Sequence, residues 1–359
     1  MVHLPLPPGS TLGILGGGQL GRMLALAAAR LGFDVAVLER DADSPAGQVS
    51  NHTIVGAYND PAALEKLAAV AKVVTFEFEN VPASSVLILQ ELGVEVAPGP
   101  EALSVAQDRV AEKQFLNASG APTVAFASAD SAEEAASVAA VMGAPLLMKT
   151  RREGYDGKGQ RWVENVADAA STFEALGGVP VILEAPADFV RELSIIAARG
   201  RDGETAVYPL AENHHESGVL RRTLAPANVS HHVALEAEKI AARVLKGLNY
   251  VGVVGIELFE LKDGRLLVNE IAPRVHNTGH WTLDGCSVDQ FEQHIRAVAG
   301  WPLGPTIPHS RVEMLNLLGD EVDGWAKLAH EPDTRIHLYG KRAAKPGRKM
   351  GHVNKVRML

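Results

Sequence analysis

The sequence predicts an α/β protein of two or three domains whose first domain is an open parallel sheet. Three observations support this prediction. Short apolar strands alternate with alanine-rich helices over about the first 100 residues. Later apolar strands are joined by hairpin turns. The chain has 359 residues, which is too long for one ordinary core.

The composition favours a soluble globular protein, with 47% hydrophobic and 21% charged residues. The net charge of −9 provides no general basic field for nucleic acid or a membrane. The one cysteine, Cys286, excludes an intrachain disulfide framework and suits a reducing compartment. No apolar run reaches transmembrane length and the N-terminus lacks a secretory signal, so we expect a cytoplasmic protein.

The first predicted strand is followed by a glycine-rich turn. Residues 16–21 fit Gly-x-Gly-x-x-Gly, and a helix and a strand tipped by Glu39 come next. This order is the dinucleotide fingerprint, in which the helix N-terminus holds a pyrophosphate and the acid binds a ribose hydroxyl. The same N–H groups would also hold the phosphate of a mononucleotide, and Glu39 would then be a plain surface acid.

Two acids follow the strand predicted over residues 72–76. Glu77 and Glu79 stand at its carboxyl end, where open α/β sheets bind ligands, and strand alternation directs both to the same side. The alternative is a solvated strand end. A Pro-Gly-Pro sequence at 98–100 indicates a boundary, so the first domain is expected to span residues 1–100.

A second glycine-rich loop follows a strand that ends on Lys149. Three glycines lie between residues 154 and 159, and four cations surround them, namely Lys149, Arg151, Arg152 and Lys158. Glycine lets the backbone approach a ligand, and successive N–H groups form a nest for an anion. The loop therefore predicts a cover for a triphosphate, with a solvated hairpin turn as the alternative.

A helix predicted over residues 101–119 carries Arg109 and Lys113 one turn apart. These side chains would reach a phosphate or pair with acids.

Two carboxylates, Glu257 and Glu270, stand inside apolar strands joined by a hairpin turn. If both were buried on one face they would repel each other, and a divalent cation would remove that repulsion. Hard oxygen ligands together with Asn269 suit magnesium better than zinc. Salt bridges to arginines are the alternative.

Neither histidine pair fits a zinc site. His214 and His215, followed by a glutamate, lack a spaced third ligand. His276 and His280 have helical spacing, but proline and glycine in the segment 273–279 indicate a polar loop against a substrate.

The acidic chain ends in a basic segment over residues 341–349. Proline and glycine interrupt this segment, which favours a substrate-phosphate site over a nucleic-acid tail or a solvated face.

The order of these parts resembles the ATP-grasp superfamily, and five motifs are similar to those of the N5-carboxyaminoimidazole ribonucleotide synthase family. They are Gly-Gly-Gly-Gln-Leu-Gly-Arg-Met at 16–23, Glu-Phe-Glu-Asn-Val-Pro at 77–82, Gly-Tyr-Asp-Gly-Lys-Gly-Gln at 154–160, Asn-Glu-Ile-Ala-Pro-Arg-Val-His-Asn-Thr-Gly-His-Trp-Thr at 269–282 and Gly-Arg-Lys-Met-Gly-His at 347–352. Thr278 departs from the pattern, where serine is expected, as does the Arg-Glu pair before Gly154, where a glycine is frequent. The resemblance spans nearly the whole chain.

The resemblance implies an ATP-grasp fold. A Rossmann-like domain would span residues 1–100, a two-lobed ATP-grasp domain 101–300 with a lid lobe at about 122–190, and a small β-rich domain 301–359. It also implies ATP- and bicarbonate-dependent carboxylation of 5-aminoimidazole ribonucleotide in purine biosynthesis, through carboxyphosphate. The cofactor would be Mg²⁺ or Mn²⁺, without biotin. A homodimer is expected, with no nucleic-acid or membrane partner.

The resemblance also implies roles for individual residues. ATP would be bound by Arg109, Lys149, Gly154, Tyr155, Asp156, Gly157, Lys158, Gly159, Gln160, Glu184, Ala185, Pro186, Ala187, Glu192, His215, Asn269 and Glu270. The aminoimidazole nucleotide would be bound by Gly18, Gln19, Leu20, Glu77, His276, Lys341 and Arg348. The metal would be held by Glu257 and Glu270, and the catalytic residues would be Tyr155, Asp156, Lys158 and Lys341. Asp156 would orient the amine or remove its proton.

Three other functions are consistent with parts of the sequence. A nicotinamide or flavin oxidoreductase would rest on residues 16–21 and Glu39, but it leaves the second glycine loop and the carboxylate pair unexplained. A phosphate-sensing module would bind ATP without turnover. A formate-dependent glycinamide ribonucleotide ligase would share the fold, but the motifs at 77–82 and 347–352 favour the aminoimidazole substrate.

Overall fold

The computed structural model describes residues 5–154 and 157–358 of the chain. Its N-terminal part alternates strands and helices, as the sequence predicts. The elements are β1 (Thr11–Leu15), α1 (Gln19–Arg30), β2 (Asp34–Glu39), β3 (His52–Val55), α2 (Pro61–Val70), β4 (Val73–Phe76), α3 (Ala83–Glu91) and β5 (Glu95–Val96). The strands form a parallel sheet in the order β3-β2-β1-β4-β5. The strand order reverses between β1 and β4, and this is where such sheets place their ligand sites.

The prediction of one continuous helix over residues 101–119 is wrong, because the structure has two helices there. These are α4 (Pro100–Ala106) and α5 (Arg109–Ala118). Asp108 breaks the helix: its backbone is extended, and its carboxylate accepts hydrogen bonds from the N–H groups of Val110 and Ala111. An aspartate in this position satisfies the free donors of a new helix, so the chain restarts at Arg109.

A small lobe follows, built as a four-stranded antiparallel sheet in the order β6-β9-β7-β8. Its elements are β6 (Phe126–Ala129), α6 (Ala132–Met142), β7 (Leu146–Thr150), β8 (Gln160–Val163), α7 (Ala169–Ala175) and β9 (Val181–Glu184). Both helices pack on the apolar face of the sheet, around Met148 and Phe173. The second glycine loop connects β7 to β8.

The rest of the chain forms one nine-stranded sheet. Its strands are β10 (Phe189–Arg199), β11 (Thr205–Val207), β12 (Ala211–Glu216), β13 (Val219–Ala225), β14 (Gly252–Leu261), β15 (Leu266–Ala272), β16 (Ser310–Leu318), β17 (Thr334–Leu338) and β18 (Lys349–Met358). The last three do not form a sheet of their own, because β16 pairs with β13. The helices of this part are α8 (His231–Gly247), α9 (Thr282–Gly285), α10 (Gln290–Ala299) and α11 (Trp325–Ala329).

The two large sheets are joined through helix packing. Leu24 of α1 and Ile295 of α10 are fully buried in one core. The predicted α/β architecture, with an open parallel sheet first, a two-lobed centre and a β-rich end, is confirmed. Within the described ranges, no helix has both the length and the apolar character needed to cross a membrane.

Candidate active site

A cavity of about 750 Å³ lies where the N-terminal sheet, the small lobe and the nine-stranded sheet meet. Many of the predicted site residues line it, from four parts of the fold. Gln19 and Leu20 begin α1, Arg109 begins α5, Lys149, Gly154, Gly157, Lys158 and Gln160 belong to the small lobe, and Glu192, His215, Glu257, Asn269, Glu270 and His276 belong to the nine-stranded sheet and its loops. Residues as far apart in sequence as Gln19 and Lys349 therefore meet in one place.

Arg109 links the glycine loop to the large sheet. One guanidinium nitrogen donates to the carbonyl oxygen of Gly154 at 2.9 Å, and another lies 3.2 Å from the Glu270 carboxylate. Gly157 has a positive φ of 76°, and a Cβ atom there would lie 3.3 Å from the carbonyl oxygen of Ser217. Glycine therefore lets the loop reach the β12–β13 turn across the cavity mouth.

Lys149 points from β7 toward the cavity and forms an ion pair behind it. Its Nζ lies 2.7 Å from Glu184 Oε2, and the buried Lys113 of α5 lies 3.2 Å from Glu184 Oε1. Burial acts to raise the pKa of Glu184, but the two lysines lower it. The carboxylate is thus ionised and fixes both lysines. Of the two roles predicted for Lys113, the structure shows the pairing with an acid. Lys113 is not among the residues that line the cavity.

Glu257 and Glu270 are direct cross-strand partners on β14 and β15. Burial, followed by repulsion from Glu270, raises the pKa of Glu257 to about 7. Burial also opposes ionisation of Glu270, but the cations Arg109 and Lys149 lower the pKa of Glu270. The pair thus combines one ionised carboxylate with one whose ionisation burial and Glu270 oppose more strongly than His215 and Asn269 favour it. A divalent cation between them would stabilise both charges.

Both side chains of the His214–His215 segment lie next to carboxylates. His215 Nδ1 bonds to the Glu192 carboxylate, and His214 faces Glu212 at 3.3 Å. Burial opposes protonation of His215, but the Glu192 carboxylate raises its pKa. In the part of the chain that the structure describes, no three His, Cys, Asp or Glu side chains are grouped to hold a metal ion.

The first glycine turn is occupied by the protein's own acids. The N–H of Gly21 donates to Glu77 at 2.7 Å and that of Gly18 donates to the other Glu77 oxygen, while the N–H of Gly17 donates to Glu39 at 2.7 Å. A Cβ atom on Gly18 would lie 2.5 Å from Glu77 Oε1, so a larger residue there would displace the Glu77 carboxylate. In the described structure these donors are thus already satisfied.

Family models match the chain in three consecutive parts. They are the ribonucleotide synthetase preATP-grasp domain at 10–107, the ATP-grasp domain at 114–291 and the phosphoribosylaminoimidazole carboxylase C-terminal domain at 313–358. The N5-carboxyaminoimidazole ribonucleotide synthase of Brucella melitensis is 50% identical over 354 residues, covering 98% of both chains. The chain belongs to the N5-carboxyaminoimidazole ribonucleotide synthase family.

Other members of the family agree with this assignment. The Bacillus subtilis synthase is 40% identical over 351 residues, with 96% of this chain and 91% of that one covered. The crystal structure of the Thermus thermophilus synthetase is 44% identical with a TM-score of 0.90, covering 96% of this chain and 93% of the other. An Aspergillus clavatus synthase in complex with ADP and 5-aminoimidazole ribonucleotide is 34% identical with a TM-score of 0.90, covering 98% and 94%. Enzymes of the synthase family are ATP-dependent ligases, so the ligase interpretation is favoured over an oxidoreductase.

Some residues predicted from the synthase motifs are not among those that line the cavity. Gly18, Glu77, Gly159, Glu184, Ala185, Pro186, Ala187, Lys341 and Arg348 belong to this group. Lys341 donates to the carbonyl oxygen of Lys349 at 2.6 Å, and Arg348 donates to that of Ala343 at 2.9 Å. Tyr155 and Asp156 lie outside the described residues.

The prediction missed several residues that line the cavity. Arg274 lies 2.6 Å from Glu79, and although burial acts to raise the pKa of Glu79, this arginine lowers it to about 2. Both side-chain atoms of Asn277 are buried without a hydrogen-bond partner in the described structure, which is typical of a group that waits for a ligand or water. The signal was present in the motif at 269–282, where Arg274 and Asn277 flank the predicted His276.

Proposed function

We propose that the chain catalyses the ATP- and bicarbonate-dependent carboxylation of 5-aminoimidazole ribonucleotide, with ADP and phosphate as the other products. The observation that carries this proposal is one cavity with cations on one wall, a cross-strand carboxylate pair beside them and a polar loop opposite. The Aspergillus clavatus relative, whose complex holds ADP and the aminoimidazole nucleotide, supports the same pair of ligands here.

ATP would lie between the small lobe and the large sheet. Lys149 and Arg109 would hold its phosphates as fixed positive charges. Glu192 would bind the ribose hydroxyls beside His215, and the segment 184–187 would contact the adenine. The glycine loop at 154–160 would cover the triphosphate and keep water out, because carboxyphosphate is lost by hydrolysis when water reaches it.

Glu257 and Glu270 fit a magnesium ion, with Asn269 next to them. Their register makes them neighbours, and the raised pKa of Glu257 indicates a charge that His215 compensates only in part. Magnesium keeps most of its ligands as water and substrate phosphate, so two carboxylates are sufficient, and manganese would fit the same oxygens. When bound, the ion would neutralise charge on the phosphates during transfer.

The aminoimidazole nucleotide would lie toward the N-terminal sheet. Gln19, Leu20 and His276 line that end of the cavity, together with Asn277. Tyr155 and Asp156 would face the imidazole, and Asp156 would orient the amine or take its proton. Lys158 and Lys341 would support the reaction, and Arg348 would bind the substrate phosphate beside Lys349, which lines the cavity.

The test measures phosphate release from magnesium ATP at controlled bicarbonate, with and without 5-aminoimidazole ribonucleotide. We expect strong stimulation by the nucleotide and an acid-labile carboxylated product. Turnover with glycinamide ribonucleotide and formate instead would assign the chain to that ligase. Binding of ATP without any turnover would refute both and leave a nucleotide-binding module. A homodimer and a cytoplasmic location also remain our predictions, the first testable by light scattering.

A further inference from the structure

Gln290 holds the backbone of the cavity residue His276. Gln290 is the first residue of α10 and is completely buried. The N–H of His276 donates to Gln290 Oε1 at 2.9 Å, and Gln290 Nε2 donates to the carbonyl oxygen of His276 at 2.7 Å. The side-chain amide thus bonds both polar backbone groups of this one residue, as a neighbouring strand would.

The loop after His276 rests directly on the same glutamine. A Cβ atom on Gly279 would lie 2.6 Å from Gln290 Oε1 and 2.8 Å from a carbon of Ile196, so no side chain fits between them. The backbone N–H of Gln290 donates to the Thr282 hydroxyl at 3.0 Å, and that hydroxyl donates to the carbonyl oxygen of Gly279 at 2.7 Å. Both ends of the loop are therefore tied to the start of α10.

The second hydrogen of the amide nitrogen also has a partner. Gln290 Nε2 lies 3.1 Å from His280 Nδ1. Burial lowers the pKa of His280 well below its usual value, so the imidazole is neutral and Nδ1 accepts this bond. An amide nitrogen carries two hydrogens, and here both are used. A glutamate at this position would keep the acceptor for His276 but lose both donors.

We propose that Gln290 is a positioning residue that fixes His276 at the cavity wall, and so sets the affinity and turnover of the aminoimidazole nucleotide. The proposal rests on the function proposed above. The His276 ring packs over Gly255 of β14, where a Cβ atom would lie 2.6 Å from the His276 Cβ, and its Nε2 lies 3.7 Å from Glu257. A shift of the His276 backbone would therefore move the ring relative to the rest of the cavity.

The chain supplies a matched control on the same helix. Gln293 is also completely buried, and its amide makes the same two bonds, donating to the carbonyl of Gly304 and accepting from its N–H, both at 2.8 Å. Gly304 is not among the residues that line the cavity. Gln290→Met and Gln293→Met therefore both remove a pair of bonds to one backbone residue at equal burial, and Gln290→Met also removes the bond to His280. The full-length variants are compared by thermal unfolding and by KM and kcat for each substrate.

We expect both methionine variants to lower Tm, and Gln290→Met to lower it somewhat more because it also loses the bond to His280. Only Gln290→Met should lower kcat/KM for 5-aminoimidazole ribonucleotide, by roughly tenfold to a hundredfold, as small displacements of positioned groups do. Its KM for magnesium ATP should stay at the wild-type value. Gln290→Glu, which keeps the size of the side chain, should give the same kinetic loss and provides the test if Gln290→Met does not fold.

Equal kinetics for the Gln290 and Gln293 variants would overturn the proposal, as would an equal rise in KM for magnesium ATP and for the nucleotide. Wild-type kinetics for Gln290→Glu would overturn it as well, because that variant lacks both donors. A wild-type protein without turnover of 5-aminoimidazole ribonucleotide would instead refute the proposed function, so the two failures are distinguishable.

Discussion

Both glycine-rich turns of this chain border the cavity, but their surroundings differ. In the first, at residues 16–21, the N–H groups of Gly18 and Gly21 are bonded to the buried Glu77. In the second, at 154–160, the described residues open into the cavity beside Lys149 and Arg109. A glycine turn therefore indicates that donors are available to an anion, and the rest of the fold decides whether that anion is a ligand or a side chain.

The largest expected effect is at the second turn. Lys149→Met removes a cation from the cavity wall, and we expect kcat/KM for magnesium ATP to fall on the order of 100- to 1,000-fold, as for other groups that stabilise transition-state charge. The measurement is steady-state ATP turnover. The ion pair with Glu184 is also lost, so stability must be controlled.

Lys113→Met provides that control. Lys113 is the other partner of Glu184, at 3.2 Å, but it is not among the lining residues. Each variant leaves a buried carboxylate with one lysine, at a cost of up to about 3–5 kcal/mol in unfolding free energy. If the two variants are equally destabilised and equally inactive, Lys149 acts through structure alone and the contrast between the turns fails.

A smaller effect is expected at the first turn, from Glu77→Gln. The new amide keeps one oxygen for one glycine N–H but turns an NH₂ group toward the other, so a buried donor loses its acceptor. We expect the free energy of unfolding to fall by about 1–3 kcal/mol, with KM for magnesium ATP unchanged. Denaturant unfolding and ATP kinetics provide the measurement.

The kinetics of Glu77→Gln also test whether the first glycine turn binds a substrate. A raised KM for ATP would mean that the first turn does hold the cosubstrate and that Glu77 gives way to it. A raised KM for 5-aminoimidazole ribonucleotide alone would support the predicted substrate-binding role of Glu77. Glu260→Gln is a useful control for loss of a buried carboxylate, since Glu260 pairs with Arg191 and is not among the lining residues.

Much of the fold follows from local sequence pattern. The alternation of strand and helix up to β5 and the hairpin that pairs Glu257 with Glu270 were both predictable, because they depend on residues close in sequence. The single helix predicted over 101–119 failed at Asp108, where a capping carboxylate outweighs helix propensity. The pairing of β16 with β13 was not predictable from periodicity, because it joins strands about 90 residues apart.

The site shows the same division. Residue types and motifs indicated the cations, the carboxylate pair and the glycine loop, which the structure brings to one cavity. The sequence did not indicate that Glu77 bonds to Gly18, because 59 residues separate them. Nor did it indicate the hold of Gln290 on His276, because a buried glutamine has no characteristic spacing and is recognisable only by its two hydrogen bonds.

The smallest effect is expected from Glu39→Gln, also at the first turn. Glu39 Oε2 accepts from the N–H of Gly17 and from the Tyr58 hydroxyl, both at 2.7 Å, and glutamine retains one oxygen for these bonds. Unfolding free energy should change by less than about 1 kcal/mol, and all kinetic constants should stay at wild-type values. Thermal unfolding with and without NADH gives the sharper result, because Glu39 is the acid that a dinucleotide ribose would need. Protection of the wild type by NADH that Glu39→Gln abolishes would show that the first turn accepts a ligand after all.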